Sequence, residues 1–263
     1  MFFAEGMVII MKIVLKILIL ACFSIFCSAS TSFGALGISD EEFIELCGKG
    51  TFKEIEAAIK NGADVNAREE YGSGSTALMA AAGGNGDPEV INLLIENGAD
   101  VNDCDDLGFT ALVAAGSNNN PEIINVLVKN RADVNDWGDG GFTALMNAAK
   151  HNSNAEVINK LIKHGAVVDD KDYGGSTALI IAARFNSNPE ILNALINNGA
   201  DVNARTEEGL TALMSAREEN NNPEIINILI ENGADTAGYT NPPAPEEAAP
   251  SNRHPIFDVV NTK

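Results

Sequence analysis

Residues 177–203 read TALIIAARFNSNPEILNALINNGADVN, and this stretch decides the fold. Its first part, residues 177–184, predicts a short helix in which Ala182 and Ala183 permit close packing against a neighbouring helix. Its second part begins with Pro189, which suits the first position of a helix because that position needs no backbone N–H. The stretch therefore predicts two helices joined by a short polar turn.

The second helix is clearest in the copy near the end of the repeats, where PEIINILIENG starts at Pro223. Asn222 is the predicted N-cap, and the apolar residues that follow have helical spacing. Gly233 is expected to end this helix in the left-handed conformation, which glycine adopts without strain.

Three short motifs recur in one register along the chain. Thr-Ala-Leu starts at Thr76, Thr110, Thr143, Thr177 and Thr211. Ala-Asp-Val-Asn starts at Ala63, Ala99, Ala132 and Ala200, with the variant Ala-Val-Val-Asp at Ala166. The second-helix segment starts at Pro88, Pro121, Ala155, Pro189 and Pro223. A period of about 34 residues predicts stacked supersecondary units, because one such unit cannot bury its apolar face alone.

These motifs resemble ankyrin repeats, whose pattern runs G-x-T-P-L-H-x-A-A, then a turn and an apolar second helix closing in G-A-D-V-N. The resemblance covers about three-quarters of the chain. It implies an all-α solenoid of about six stacked helix-turn-helix units with finger loops between them. The domain is expected over residues 39–236, with repeats at approximately 39–66, 72–102, 106–135, 139–169, 173–203 and 207–236.

The chain departs from the family pattern at several positions within the repeats. The pattern's Pro is replaced by Ala, at Ala77, Ala111, Ala144, Ala178 and Ala212. Its His is replaced by an apolar residue, at Met79, Val113, Met146, Ile180 and Met214, so apolar packing is expected in place of the Thr–His hydrogen bond. Arg131 stands at the helix-ending Gly position, where a positive φ costs a residue with a Cβ about 1 kcal/mol.

The first unit ends in the shared Ala-Asp-Val-Asn at Ala63, but it lacks the other two motifs and carries helix signals of its own. Ser39 with Glu42 and Thr51 with Glu54 are two predicted capping boxes, each opening a helix. A divergent first repeat with a polar outer side is what a solenoid needs to stay soluble.

Both ends of the chain lie outside the repeats. Residues 1–29 predict a cleaved signal peptide, in which Lys12 and Lys16 accompany an apolar run that small residues follow. This predicts export from a bacterial cell, to the periplasm or the medium. Two alternatives stay open, a membrane anchor over residues 8–27 and lipidation at Cys22. Residues 30–38 are a predicted linker, and the Pro-rich residues 237–263 are expected to be disordered.

The composition narrows the class of partner. Lys and Arg total 17 against 37 for Asp and Glu, which gives a formal net charge of −20. This charge argues against nucleic-acid binding and, beyond the signal segment, against binding an anionic membrane. Cys47 and Cys104 are expected to be free thiols, because the repeat register puts them in non-equivalent places. A monomer is expected.

No set of residues with catalytic or metal-binding spacing stands out in the sequence. His151, His164 and His254 occur singly. The acidic stretches 103–106 and 169–172 lack the glutamate that a calcium loop requires at its twelfth position, so acidic loop tips facing water are favoured. We therefore expect a non-catalytic protein without a cofactor or a bound metal.

The family resemblance implies that a protein partner contacts the finger tips and the exposed ends of the first helices, on an extended concave surface. The predicted finger-tip residues are Arg68, Tyr71, Asp106, Phe109, Trp137, Asp139, Phe142, Tyr173, Arg205 and Glu207. The predicted helix-end residues are Lys150, His151, Arg184, Phe185, Glu218 and Glu219. Trp137 is the favoured anchor, whereas Phe109 and Phe142 have the alternative of packing under their own fingers.

Protein–protein recognition is thus the predicted function, and the finger-tip carboxylates favour a basic partner. Two alternatives remain at this point. The chain could be a structural or inhibitory cover for a neighbouring enzyme, or its acidic fingers could bind calcium or another small ligand.

Overall fold

The computed structural model of the chain describes residues 38–237. The predicted signal peptide, the linker before Ile38 and the tail after Ala237 lie outside the described residues. Within residues 38–237 the chain forms six pairs of α-helices. The first helices of the pairs are α1 (Asp40–Lys49), α3 (Ala77–Gly84), α5 (Ala111–Ala115), α7 (Ala144–His151), α9 (Ala178–Phe185) and α11 (Ala212–Ser215). The second helices are α2 (Phe52–Lys60), α4 (Pro88–Glu96), α6 (Pro121–Lys129), α8 (Ala155–Lys163), α10 (Pro189–Asn197) and α12 (Pro223–Glu231).

The helices begin where their capping residues predict. Both capping boxes of the first unit are formed, with Ser39 and Thr51 as N-caps. Asn222 caps α12, and Pro223 occupies its first position. The side chain of Thr177 accepts a hydrogen bond from the backbone N–H of Ile180. In this chain the threonine therefore forms a local N-cap hydrogen bond in place of the Thr–His hydrogen bond of the family pattern.

The helices form two layers. Each first helix packs against the next first helix along the chain, and each second helix packs against the next second helix. The core between them consists mainly of Leu, Ile, Val and Ala side chains, and Ala182 and Ala183 are fully buried, as predicted. The all-α solenoid is therefore confirmed, with one addition: the strands β1 (Trp137–Gly138) and β2 (Phe142–Thr143) pair antiparallel in one finger.

Left-handed residues follow the second helices. Gly233 has a φ of 87° and ends its helix as expected. Arg131 takes the same conformation with a φ of 71°, which confirms that a residue with a Cβ occupies a glycine position.

Asparagines between the paired helices link each unit to the one before it, and sequence reasoning did not find them. Four of them are buried, Asn85, Asn118, Asn152 and Asn186, and the fifth, Asn220, is half-buried. Each side-chain amide donates two hydrogen bonds to backbone carbonyls of the preceding unit, at 2.8–3.1 Å. We call these five residues the asparagine ladder.

A second row uses the Asn of Ala-Asp-Val-Asn. Asn135 donates to the carbonyl of Gly165 at 3.1 Å and accepts from the N–H of Val167 at 3.0 Å. In the variant motif the corresponding residue is Asp169, which accepts from Asp201 at 2.9 Å but has no amide with which to donate. The Asn side chain of this motif joins two successive units, which explains why the motif recurs.

Two units depart from the regular geometry. The third unit is one residue shorter than its neighbours, and its α5 has only five residues. In the sixth unit a π-helical turn over Ala216–Asn220 follows α11, and Asn221 after it has a φ of 54°.

Both described cysteines are free, as predicted. Burial raises the pKa of the Cys47 thiol to about 12, whereas Cys104 is exposed. Among the helices of residues 38–237, none has the length and apolar character needed to cross a membrane.

Candidate functional site

The segments between units form the fingers, and short β-pairing shapes three of them. In the longest ribbon, Trp137 pairs with Thr143 and Gly138 with Phe142. Single antiparallel bridges close the two preceding fingers, Arg68 with Thr76 and Cys104 with Thr110. In the fifth unit the Asp172 carboxylate accepts from the N–H groups of Gly174 and Ser176, which closes a tight turn without a bridge.

Backbone hydrogen bonds join each finger to the next. In each case a backbone N–H donates to a backbone carbonyl of the preceding finger at an N···O distance of 2.6–2.9 Å. The donor and acceptor residues are Asp106 and Ser73, Asp139 and Leu107, Tyr173 and Gly140, and Glu207 and Gly174. Because only main-chain atoms take part, the side chains at these tips stay free to meet another molecule. The fingers of units two to six thus present one continuous edge.

Glycine permits this close approach at Gly175. Its φ is 78°, and a Cβ built there would lie 2.7 Å from the backbone nitrogen of Glu207 in the next finger. Gly209 has a nearly equal φ of 82°, but a Cβ there would meet nothing within 4 Å. The glycine of the fifth unit therefore serves both the turn and the packing between fingers, whereas that of the sixth serves the turn alone.

Two aromatic pairs lie on the finger edge. Trp137 and Tyr173 meet edge-to-face with ring centroids 5.8 Å apart, and both side chains are exposed. Phe109 and Phe142 also meet edge-to-face, at 6.5 Å, but they are half-buried. Phe109 lies against Gly138 of the following finger, so its contact is with the neighbouring finger.

Below the tips, a groove of about 490 Å³ runs between the fingers and the first helices. Phe109 and Phe142 form part of its wall, and Lys150 and His151 lie at the C-terminal end of α7. Sequence reasoning missed Met79, Val113 and Asn147, which line the same groove. They stand one helical turn into the first helices, so helical spacing counted from each Thr-Ala-Leu could have found them.

Cations surround Phe185 at the end of α9. The Lys150 ammonium lies 5.2 Å and the Arg184 guanidinium 4.9 Å from the centre of the Phe185 ring. Arg184 also forms an ion pair with Glu219, which holds the pKa of that carboxyl below its usual value. Burial and the neighbouring Lys150 lower the pKa of His151.

The remaining residues of the predicted surface divide into two groups. Arg68 pairs with Asp103 and donates to the carbonyl of Cys104, both in the next finger, whereas Arg205 donates to the carbonyl of Gly209 within its own finger. Tyr71, Glu207 and Glu218 are exposed to solvent, and Tyr71 is the most exposed of the large apolar side chains that the structure describes. Within residues 38–237 no group of three or more His, Cys, Asp or Glu side chains could hold a metal ion.

The stacked helix pairs define a helical repeat solenoid, and the joined fingers form one edge of it. A family model described as ankyrin repeats (3 copies) matches residues 44–137 and 145–238. The chain therefore belongs to the ankyrin-repeat family. A comparison with curated proteins finds no match. Ankyrin repeats generally mediate protein–protein interaction, and proteins built from them are typically non-catalytic.

Proposed function

We propose that this chain binds a protein partner through the finger edge and the groove beneath it, and that it does so without catalysis. The partner contacts the exposed Trp137–Tyr173 pair at the tips, the end of α7 in the groove and the neighbouring end of α9. The exposure of this aromatic pair carries the proposal, because rings of this size are favoured anchors at the centres of interfaces.

The charges on this surface support the same binding site and indicate which charges the partner carries. The finger tips carry the exposed carboxylates of Asp106, Asp139 and Glu207, whereas Lys150 and Arg184 are positive at the helix ends. A partner with basic groups facing the tips and an acidic group facing the helix ends would complement both. The long-range attraction of a chain with a net charge of −20 would speed the encounter with a basic partner.

The proposal is tested by affinity capture on the purified full chain. We expect a captured protein to be lost from the Trp137→Ala/Tyr173→Ala variant and retained by an Lys163→Ala/Ile230→Ala control on the second helices. Both variants truncate two side chains, so the control measures the effect of truncation outside the fingers. Equal recovery of the same protein with all three chains would contradict the proposed surface.

We also propose that the protein acts outside the cytoplasm of a bacterial cell, because residues 1–29 predict a signal peptide that would direct its export. N-terminal sequencing of the chain recovered from its cells tests this point. A start at Ser30 is expected. Recovery of a chain that retains residues 8–27 in the membrane fraction would favour the anchor instead.

A further inference from the structure

A small cleft at the finger tips combines exposed aromatic rings with carboxylates. It has a volume of about 410 Å³ and is lined by three fingers, through Asp106, Leu107, Trp137, Asp139 and Tyr173. Trp137 is 53% exposed and Tyr173 is 68% exposed. Their edge-to-face contact at 64° leaves much of both π faces open, so the rings can still bind a group placed over them.

The charges around this cleft are of one sign. Asp106 and Asp139 are exposed and take part in no ion pair within residues 38–237. The cation–π contacts in the same part of the chain fall on Phe185 alone. The protein thus supplies cations of its own to the Phe185 ring, whereas the Trp137–Tyr173 pair has carboxylates beside it and no cation from residues 38–237.

The cleft is built before any ligand arrives. Trp137 is held in β1 by its pairing with Thr143. The N–H of Tyr173 donates to the carbonyl of Gly140 at 2.7 Å, and the N–H of Asp139 donates to the carbonyl of Leu107 at 2.6 Å. Because the backbone on both sides is fixed, a ligand would not have to order these loops on binding.

We propose that this cleft receives the cationic side chain of an Arg or Lys residue on the protein partner, an inference that rests on the proposed function. The cation lies over the open faces of Trp137 and Tyr173, where the negative centre of each ring attracts it within about 6 Å. Asp106 and Asp139 neutralise its charge from the rim. The cleft would then make the finger tips specific for a partner that presents an Arg or Lys residue at this position.

The test uses fluorescence, because Trp137 is the only tryptophan of the chain and therefore reports on this site alone. The full chain is titrated at constant ionic strength with the peptide Ac-Gly-Arg-Gly-NH₂ and with the neutral peptide Ac-Gly-Gln-Gly-NH₂. We expect a saturable change in Trp137 emission with the arginine peptide and none with the glutamine peptide.

A charge-matched pair of variants isolates the two carboxylates. In Asp106→Asn/Asp139→Asn we expect the arginine peptide to bind about fivefold more weakly, since two exposed ion pairs are lost. Glu190→Gln/Glu224→Gln removes the same charge from the second helices and should leave binding unchanged. Thermal unfolding midpoints equal to that of the wild type establish that each variant is folded.

Several results would overturn the proposal. These are the lack of a saturable change with the arginine peptide, an equal response to the glutamine peptide, or unaltered binding by Asp106→Asn/Asp139→Asn. A change in Trp137 emission caused by Arg253→Gln without any peptide would show that the chain's own tail occupies the cleft, which also contradicts a partner's cation.

The peptide titration and the affinity capture distinguish failure of the cation site from failure of the proposed function. If capture fails for Trp137→Ala/Tyr173→Ala but the arginine peptide gives no saturable change in Trp137 emission, the finger interface stands and the cation site is wrong. If the arginine peptide binds as expected while capture is equal for all variants, the cation site is supported and the protein interface is contradicted.

Discussion

The asparagine ladder and the finger edge both join successive units by hydrogen bonds, but they use different atoms. In the ladder, side-chain amides such as that of Asn186 bind carbonyls of the preceding unit. At the finger edge, backbone N–H groups such as that of Tyr173 bind backbone carbonyls. A link made by side chains fixes the residue type, so the ladder recurs in sequence. A link made by the backbone leaves the side chain free, so the fingers differ and can acquire recognition.

The largest effect is expected from Asn186→Ala in the ladder. The change removes bonds to the carbonyls of Ala149 and Asn152 and the bond that the Asn188 N–H donates to this side chain. Because these carbonyls are buried with their donor lost, we expect the free energy of unfolding to fall by about 3 kcal/mol in urea denaturation. The adjacent exposed Ser187→Ala is the control and should change it little. Equal stability of the two variants would show that the ladder is not structural.

The link between fingers is tested by a pair of glycine substitutions. Gly175→Ala and Gly209→Ala incur the same backbone strain of about 1 kcal/mol, because both positions have a positive φ. Only the Cβ at position 175 collides with the next finger. We expect Gly175→Ala to be the less stable by a further 1 kcal/mol or so in the same unfolding assay. If the two variants match, the fingers do not pack on each other.

A smaller effect separates two threonines that begin first helices. Thr143 accepts a hydrogen bond from the N–H of Met146 at 3.3 Å. The buried hydroxyl of Thr110 has no hydrogen-bond partner within residues 38–237. Thr143→Val should therefore lower the free energy of unfolding by about 1 kcal/mol, whereas Thr110→Val should leave it unchanged or raise it. Thermal unfolding of both variants measures the difference, and a reversed order would contradict the assignment of the caps.

The smallest expected effect is a gain in stability from Arg131→Gly. Relief of the strain at a φ of 71° outweighs the added freedom of the unfolded chain by about 0.5 kcal/mol. Gly165→Arg introduces the same strain at the equivalent position of the next unit and should be destabilising. A lower unfolding midpoint for Arg131→Gly would mean that this position does not need glycine.

The helix pairs could be predicted from the sequence because their signals are local. Thr177, Pro189 and Gly233 act within one helical turn, and each does in the structure what its residue type predicts. The ladder could not be predicted in this way, since the Asn186 amide binds carbonyls 34 and 37 residues earlier. Its asparagines recur with the period, but the sequence alone does not say that they are buried.

The candidate surface was predictable only in part, for a related reason. The finger tips could be located from the repeat register, but the side chains that meet there come from different units. The edge-to-face contact of Trp137 with Tyr173 spans two units, as does the packing of Phe109 against Gly138. The pairing of Arg68 with Asp103 likewise depends on the distance between fingers. Such contacts follow from how closely the units stack, and no local motif encodes that distance.

Native-state amide hydrogen exchange tests the central claim most directly, namely that the fingers form one joined edge. The N–H of Glu207 donates to the carbonyl of Gly174 in the preceding finger, whereas the N–H of the adjacent Glu208 donates no hydrogen bond to any residue that the structure describes. The account predicts that Glu207, with Asp106, Asp139 and Tyr173, exchanges far more slowly than Glu208. Exchange of all five amides at the rate of an open loop would contradict it.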